Sequence, residues 1–268
     1  MWEVVDPSSR AVELGAEDEE EEKCVCQSKS SKPVLRLSNE VQDCDKKVSC
    51  QLLVLAFERI PTSFIQAHFM NSDTRIVGVV SSGKERCHVN NSLLQTASSD
   101  KTCFIHSTTG PNKVLFCQCK VDILPEACHN WANEVLSKIK PEKVLILSSL
   151  PASVCSLNID VNGDQIFALK TDSWESNICC QFLPLPNIVS NLPAAALSYC
   201  QIFKIPALAY IAVTTTDSVA DSTAIEIFNT LLKHEPLKDL PKCSKLETAE
   251  FLKSLKITPP HLQSNIYI

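Results

Sequence analysis

The run Leu52-Leu53-Val54-Leu55-Ala56-Phe57 is the stretch of sequence that says most about the fold. Its six successive apolar residues show neither the alternation of a half-exposed strand nor the spacing of an amphipathic helix. Such a run is typical of a strand that is covered on both faces. A second run of this type, Val144-Leu145-Ile146-Leu147, indicates a second buried strand. We therefore expect a central sheet with helices on both faces.

Segments with helical spacing alternate with further strand-like segments around these runs. Strands are predicted over residues 75–80, 165–169 and 207–213, and helices over 61–69, 125–139 and from near 193 to 203. Turn formers over 107–112 join two strand-like segments, 102–106 and 114–121, which predicts a hairpin. This alternation predicts an α/β protein, a three-layer sandwich with a mostly parallel sheet and helices on both faces.

Two capping-box patterns mark the start of the last helices. Ser218-x-x-Asp221 precedes one apolar face, and Ser244-x-x-Glu247 precedes another. The second face is predicted to consist of Leu246, Ala249, Leu252 and Leu255.

The charge distribution separates an acidic N-terminal part from a nearly neutral remainder of the chain. Residues 1–50 hold 12 acidic and 7 basic residues, including the unbroken acidic run Glu17–Glu22, whereas the other 218 hold 19 and 18. Long acidic runs repel themselves and stay solvated. We predict a disordered acidic leader over 1–50, a single α/β domain over 51–257, and a flexible tail over 258–268.

Composition excludes several classes of function. The chain has only 5 glycines and contains no glycine-rich phosphate-loop motif. The near-neutral body lacks the basic footprint of a nucleic-acid-binding protein. No apolar stretch is long enough for a membrane span, and the N-terminus does not resemble a signal peptide. The 14 cysteines are therefore expected to be reduced thiols in a cytosolic protein.

The cysteine pattern does not predict a metal site. Cys117 and Cys119 are separated by one residue of a predicted strand, so both should face the core. Cys179 and Cys180 are adjacent, which on a strand would point their side chains apart. Cys128 and His129 are neighbours without the spacing of zinc ligands. Neither a metal nor a cofactor is predicted, and no catalytic motif occurs.

The terminal residues Ile266, Tyr267 and Ile268 are the clearest candidate binding site. A C-terminal tripeptide of this kind can insert into a pocket of a partner. Its carboxylate can pair with a lysine, its tyrosine ring can be buried, and the preceding residue can fill an apolar slot.

Several stretches of the chain resemble the 20S proteasome assembly chaperone family. The resemblance is strongest over about 165–213 and at the C-terminus, and it is patchier over 51–160. It rests on residues 69–72, 115–119, 169–171, 179–180, 186–206 and 263–268. The resemblance implies a phosphorylase- or hydrolase-like α/β fold without a known active site.

The same resemblance implies a non-enzymatic chaperone. Its expected partners are proteasome assembly chaperone 2, with which it would form a heterodimer, and the α subunits of the 20S proteasome. The heterodimer would promote α-ring formation and prevent off-pathway α-ring dimers. The hydrophobic-Tyr-any motif of the family corresponds to Ile266, Tyr267 and Ile268, and would dock between α subunits. The expected location is the cytoplasm, with association with the endoplasmic reticulum also allowed.

Two other functions and one structural ambiguity stay open at this stage. The chain could be a phosphorylase-like or hydrolase enzyme on the same fold, although such an enzyme needs convergent titratable groups. The cysteine count leaves a redox or metal protein as a third hypothesis. The stretch 186–206 reads as core, with Tyr199 and Phe203 filling space, but it could instead contact the heterodimer partner.

Overall fold

The fold is built on one mixed sheet, seen here in a computed structural model. The structure describes residues 32–38, 47–81, 103–108, 113–156, 165–214 and 222–257. Over these residues, the strands are β1 (Leu35–Leu37), β2 (Val48–Phe57), β3 (Arg75–Val80), β4 (Cys103–Ser107), β5 (Val114–Cys119), β6 (Ile139–Pro151), β7 (Gln165–Lys170) and β8 (Ala207–Thr214).

The helices fall between and after the strands. In the same described ranges, the α-helices are α1 (Arg59–Phe69), α2 (Cys128–Lys138), α3 (Asn191–Ile202), α4 (Ser222–Glu226) and α5 (Lys245–Ile257). Short 3₁₀ segments cover Pro125–Ala127, Ala152–Val154 and Ile227–Lys233. Along the described residues, no helix combines the length and apolar character that a membrane crossing requires.

The strands lie in the order β1-β3-β4-β5-β2-β6-β8-β7. The central pairings β5-β2, β2-β6 and β6-β8 are parallel. The pairings β1-β3, β3-β4, β4-β5 and β7-β8 are antiparallel. The expectation of a mostly parallel sheet is therefore wrong, since only the centre is parallel. Antiparallel neighbours need only a short connection, as in the predicted hairpin of β4 and β5, which the structure confirms.

β2 is buried on both faces, as its apolar run predicts. Its odd-numbered residues over 53–57 belong to one apolar cluster, which includes Trp131 of α2 and Ala196 of α3. Its even-numbered residues over 52–56 belong to a second cluster, which includes Phe64 of α1. Successive strand side chains point to opposite faces, so α2 and α3 cover one face of the sheet and α1 the other.

The first strand corrects the predicted start of the ordered domain. β1 pairs with β3, and the backbone N–H of Leu35 donates to Oε1 of Glu134 in α2 at 2.9 Å. Gly78 makes room for β1, because a Cβ at that position would lie 2.8 Å from Cδ2 of Leu37. The boundary predicted at residue 50 is wrong, since β1 and the first residues of β2 already belong to the sheet. Residues 1–31 and 39–46 of the predicted leader lie outside the described residues.

The capping box at the start of α5 is confirmed. The Ser244 N–H donates to Glu247 Oε2 at 2.8 Å, and the Glu247 N–H donates to Ser244 Oγ at 3.3 Å. Hydrogen bonds from the backbone and side chain of Ser244 lower the pKa of Glu247. The Ser218-x-x-Asp221 pattern lies outside the described residues.

The predicted apolar face of α5 is partly wrong. Leu246 is 77% exposed, and Ala249 is exposed as well, while Leu252 and Leu255 pack against the second cluster. The orientation is set by α1, because the Thr248 hydroxyl donates to the Ala67 carbonyl at 2.9 Å. The buried face of α5 therefore combines Thr248 with Leu252 and Leu255, and apolar spacing alone does not identify it.

Candidate functional site

An exposed apolar surface lies beside the edge strand β7. Phe182, Leu185 and Ile188 are 55%, 91% and 78% exposed, and Val154 is 65% exposed. We call these four residues the apolar segment surface. Monomeric proteins rarely expose large contiguous apolar patches, and patches of this kind often mark sites of protein–protein contact.

Backbone hydrogen bonds hold the segment that carries this surface against β7. The Ala168 N–H donates to the Gln181 carbonyl at 2.8 Å, and the Leu183 N–H donates to the Ala168 carbonyl at 3.0 Å. Leu183 turns inward and packs with Phe167 and Val213. The inward Leu183 anchors the segment while its neighbour Phe182 faces solvent.

Asn187 connects the two parts of the apolar segment surface. Its Nδ2 donates to the Pro184 carbonyl at 2.8 Å, and its Oδ1 accepts from the Ser156 N–H at 2.8 Å. The second bond ties the turn that carries Val154 to the segment that carries Leu185. The exposed side chains are thus presented from a braced backbone, which lowers the entropy cost of binding.

A second exposed apolar pair lies at the end of α3. Ile202 and Phe203 are both exposed, and the ring of Phe203 contacts Tyr199 with centroids 4.3 Å apart. The predicted space-filling role of Phe203 is therefore wrong, while Ala195 and Ala196 are buried as expected. The stretch 186–206 contains both core and exposed surface.

A small cavity lies at the carboxyl ends of the central strands. Its volume is about 220 Å³, and Glu58, Ser148, Ser149, Asn191 and Ile211 are among its lining residues. In open α/β sheets this edge, where neighbouring connections leave in opposite directions, is the usual place for ligands. β2 and β6 are such neighbours, because β2 continues toward β3 and β6 continues toward β7.

Glu58 is held in this cavity by two serines. Its carboxylate accepts the Ser149 N–H at 2.7 Å, the Ser149 hydroxyl at 2.6 Å and the Ser148 hydroxyl at 3.3 Å. Desolvation of the carboxylate raises the pKa of Glu58, even though part of the residue is exposed. The hydrogen bonds from the two serines oppose this effect, because they favour the charged form and lower the pKa. Its φ of 69° lies in a region that non-glycine residues seldom adopt.

The cavity does not assemble a recognisable catalytic set. None of its lining residues is a histidine, lysine, arginine or cysteine. The lining group that could serve as a base is the Glu58 carboxylate, and both serine hydroxyls already donate to it. In the described cavity, Glu58 links the end of β2 to β6 through these hydrogen bonds.

The cysteines considered as metal ligands lie in the core. Cys117 and Cys119 face the same apolar cluster, as predicted, and Sγ of Cys119 lies 2.7 Å from Sγ of Cys103 on the paired strand. The Cys128 thiol donates to the Leu124 carbonyl at 3.4 Å, while His129 is exposed. No group of three or more metal-ligating side chains occurs among residues that the structure describes.

The structure corrects the prediction for Cys179 and Cys180. They lie in a bend, not on a strand, so the alternation of strand side chains does not apply to them. The Cys179 thiol donates to Oη of Tyr210 in β8 at 3.3 Å. Adjacent thiols are separated only when the backbone is extended, which it is not here.

The predicted docking residues Ile266, Tyr267 and Ile268 lie outside the described residues, which end at residue 257. Of the apolar segment surface, only Ile188 lies within 186–206, the stretch for which contact with the heterodimer partner is an open alternative; the other three residues are not predicted from the sequence. A usable signal was present, because Phe182, Leu185 and Ile188 alternate with Pro184 and Pro186 in a stretch with neither helical nor strand periodicity.

Known proteins resemble this chain in sequence and in fold. The family model PAC1, described as proteasome assembly chaperone 4, matches residues 1–268. The mouse protein named proteasome assembly chaperone 1 is 32% identical over 229 residues, covering 81% of this chain and 76% of that protein. The human protein of the same name is 30% identical over 232 residues, covering 83% and 78%.

Two solved structures from Pyrococcus furiosus share the fold. PbaA, described as an archaeal homolog of proteasome-assembly chaperone, has a TM-score of 0.54 at 12% identity and covers 84% of this chain and 93% of its own. PbaB, described as an archaeal proteasome activator, has a TM-score of 0.56 at 8% identity and covers 84% and 96%. The mixed α/β sheet is the fold of these two structures. The match to the family model and to the mouse and human relatives shows that the chain belongs to the proteasome assembly chaperone 1 family.

Proposed function

We propose that this chain is a non-enzymatic chaperone that promotes assembly of the 20S proteasome in the cytoplasm. It acts as a heterodimer with proteasome assembly chaperone 2. The pair binds α subunits, promotes α-ring formation and prevents off-pathway pairing of α-rings. The observation that carries this proposal is the match of the whole chain, residues 1–268, to the family.

The apolar segment surface is the proposed contact with proteasome assembly chaperone 2. A stable interface needs about 800 Å² from each partner, with buried aromatic or aliphatic anchors near its centre. In this proposal, the exposed side chains of Phe182, Leu185 and Ile188 would serve as such anchors, and Asn187 already braces their backbone. This arrangement supports a pre-formed contact surface.

The C-terminal tripeptide is the proposed contact with the α-ring. Tyr267 would bury its ring in a pocket between neighbouring α subunits, Ile266 would fill an apolar slot, and the carboxylate of Ile268 would pair with a basic group. The preceding helix α5 is fixed on α1 through Thr248. Residues 258–268, fully extended, reach at most about 40 Å beyond it.

One tail alone would bind weakly, because it gives up conformational freedom on docking. A second tail on the partner chaperone and contacts of the folded bodies raise the effective concentration of each tail. Release follows when maturation of the ring lowers the affinity of the pocket.

Variants of the tail test this proposal. Proteasome intermediates would be captured with N-terminally tagged wild-type chain, Tyr267→Ala, and Asn265→Ala as a control within the same tail. Tyr267→Ala should lose most of the α subunits but retain proteasome assembly chaperone 2, and Asn265→Ala should retain both. Retention of α subunits at the wild-type level by Tyr267→Ala would falsify the role of the tail.

The enzyme hypothesis is not favoured by any observation at the cavity. Glu58, Ser148 and Ser149 hydrogen-bond to one another, and the lining residues include no histidine, lysine or cysteine. We therefore place no catalytic step in the proposed function.

A further inference from the structure

The cavity at the carboxyl ends of the central strands adjoins the apolar segment surface. Val154 belongs to that surface, is 65% exposed, and also lines the cavity. Val189, another lining residue, directly follows Ile188 of the same surface. A partner that rests on the apolar segment surface is therefore in position to place a side chain in the cavity.

The lining of the cavity combines apolar and polar groups. One group of lining residues is apolar and includes Leu150, Val154 and Ile211, whereas the other includes Glu58 and Ser149. The volume of about 220 Å³ is below the range of about 300–1,000 Å³ that is usual for small-molecule pockets. These dimensions and this lining suit one long side chain with an apolar stem and a polar end.

The charge of the cavity is negative. Of the lining residues that the structure describes, only Glu58 carries a charged side chain. Desolvation raises the pKa of Glu58 most strongly, and the nearby carboxylate of Asp122 raises it further. Helix α3 begins at Asn191 on the cavity wall, and a helix N-terminus carries about half a positive charge. This partial charge is smaller than that of one carboxylate, so the cavity favours a cation.

The two carboxylate oxygens of Glu58 are unequally occupied. Oε2 accepts the Ser149 N–H at 2.7 Å and the Ser149 hydroxyl at 2.6 Å. The Ser148 hydroxyl is farther away, at 3.3 Å from Oε1 and 3.4 Å from Oε2. An ionised carboxylate has about four acceptor positions, so Oε1 has room for a further donor. Part of Glu58 is exposed, and a side chain from outside can reach it.

We propose that this cavity receives a lysine side chain of the partner chaperone that docks on the apolar segment surface. The proposal rests on the proposed function, in which that partner is proteasome assembly chaperone 2. The apolar stem of the lysine lies along Leu150 and Val154, and its ammonium group donates to Oε1 of Glu58. An arginine fits less well, because a guanidinium pairs best with both carboxylate oxygens, and Oε2 already accepts two short hydrogen bonds.

This ion pair would give the contact a fixed register. Apolar side chains such as Leu185 supply contact area, whereas charge pairs across an interface fix its register and exclude wrong partners. A partner with an apolar or acidic residue at this place would cover Glu58 without supplying a cation, which is energetically costly. Glu58 therefore selects for a basic partner residue.

A zero-length cross-link tests the contact in the wild-type complex. A water-soluble carbodiimide activates the Glu58 carboxylate, and a lysine amine in contact with it displaces the activating group and forms an amide. Trypsin releases Glu58 in the peptide 48–59, in which it is the only acidic side chain. We expect an amide between this peptide and one lysine of proteasome assembly chaperone 2.

The outcomes separate this inference from the proposed function. A complex that forms without a cross-link from Glu58 to proteasome assembly chaperone 2 would overturn the inference and leave the proposed function standing. A cross-link that joins Glu58 only to a lysine of its own chain would have the same meaning. Failure of the two wild-type chains to bind each other would overturn both.

Two variants measure the contribution of the charge. Glu58→Gln removes the charge and keeps the shape of the side chain, whereas Glu250→Gln, at an exposed position of α5, is the control for net charge. We expect the Kd for proteasome assembly chaperone 2 to rise about tenfold for Glu58→Gln, near the low end for close charge pairs at interfaces. Glu250→Gln should bind as wild type does.

Thermal unfolding reports whether each variant is folded. If Glu58→Gln does not fold, the cross-link in the wild-type complex decides the question alone. A wild-type Kd in folded Glu58→Gln, or an equal rise in Kd for Glu250→Gln, would overturn the assignment of the lysine to this cavity.

Discussion

Leu185→Asp tests whether the apolar segment surface binds a partner. Leu185 is 91% exposed in the chain alone, so its replacement removes almost no packing. Substitutions at such positions usually change the free energy of unfolding by less than about 0.5 kcal/mol. The folded chain should therefore be as stable as wild type.

The effect on binding should be much larger. Burying a leucine side chain contributes about 1.5–3 kcal/mol, which corresponds to a change in Kd of about 10- to 150-fold. An aspartate at the same place would also have to lose its hydration, so this range is a lower limit.

The affinity for proteasome assembly chaperone 2 would be measured by titration for wild type and two variants. Leu246→Asp is the matched control, because Leu246 is 77% exposed on α5, a helix that packs against α1 and α4. We expect a raised Kd for Leu185→Asp and a wild-type Kd for Leu246→Asp, with unchanged thermal unfolding for both. Wild-type affinity in Leu185→Asp would refute the placement of the interface.

Three further predictions concern the folded body. Trp131→Ala should lower the free energy of unfolding by about 3–5 kcal/mol, measured by chemical denaturation, because Trp131 is fully buried against Phe57. Ser244→Ala should cost about 1 kcal/mol and increase hydrogen exchange at the start of α5, since it removes the cap that Ser244 shares with Glu247. The pKa of Glu58 is raised in the folded state, so the folded chain holds the proton more tightly and its stability should fall as pH rises above about 4.5 toward neutrality. Glu58→Gln should remove this dependence, and parallel pH-dependent denaturation curves for the two proteins would contradict it.

Most individual elements could be predicted from the sequence, because local signals specify them. The apolar run at 52–57 indicates a strand that is buried on both faces, and the pair Ser244 and Glu247 indicates the start of a helix. These signals depend on neighbours within a few residues. The family, too, could be identified from the stretches around 186–206 and 263–268, and the family match confirms it.

Features that depend on distant contacts could not be predicted. The antiparallel directions of β1, β3 and β4 follow from how these strands pair in the sheet, which no local sequence pattern indicates. In addition, the three residues of β1 are too few to show a periodicity. The orientation of α5 is set by the bond from Thr248 to α1, which lies far away in sequence. The approach of Cys179 to Tyr210 depends on a bend and on the position of β8.

The central claim, that this chain binds proteasome α subunits together with a second chaperone, is tested most directly by capture of the N-terminally tagged full chain from cell extract. The bound proteins would be identified by mass spectrometry, with an unrelated tagged protein as the control. We expect α subunits of the 20S proteasome and proteasome assembly chaperone 2 in the captured material. Recovery of the intact chain with neither of them would contradict the proposed function.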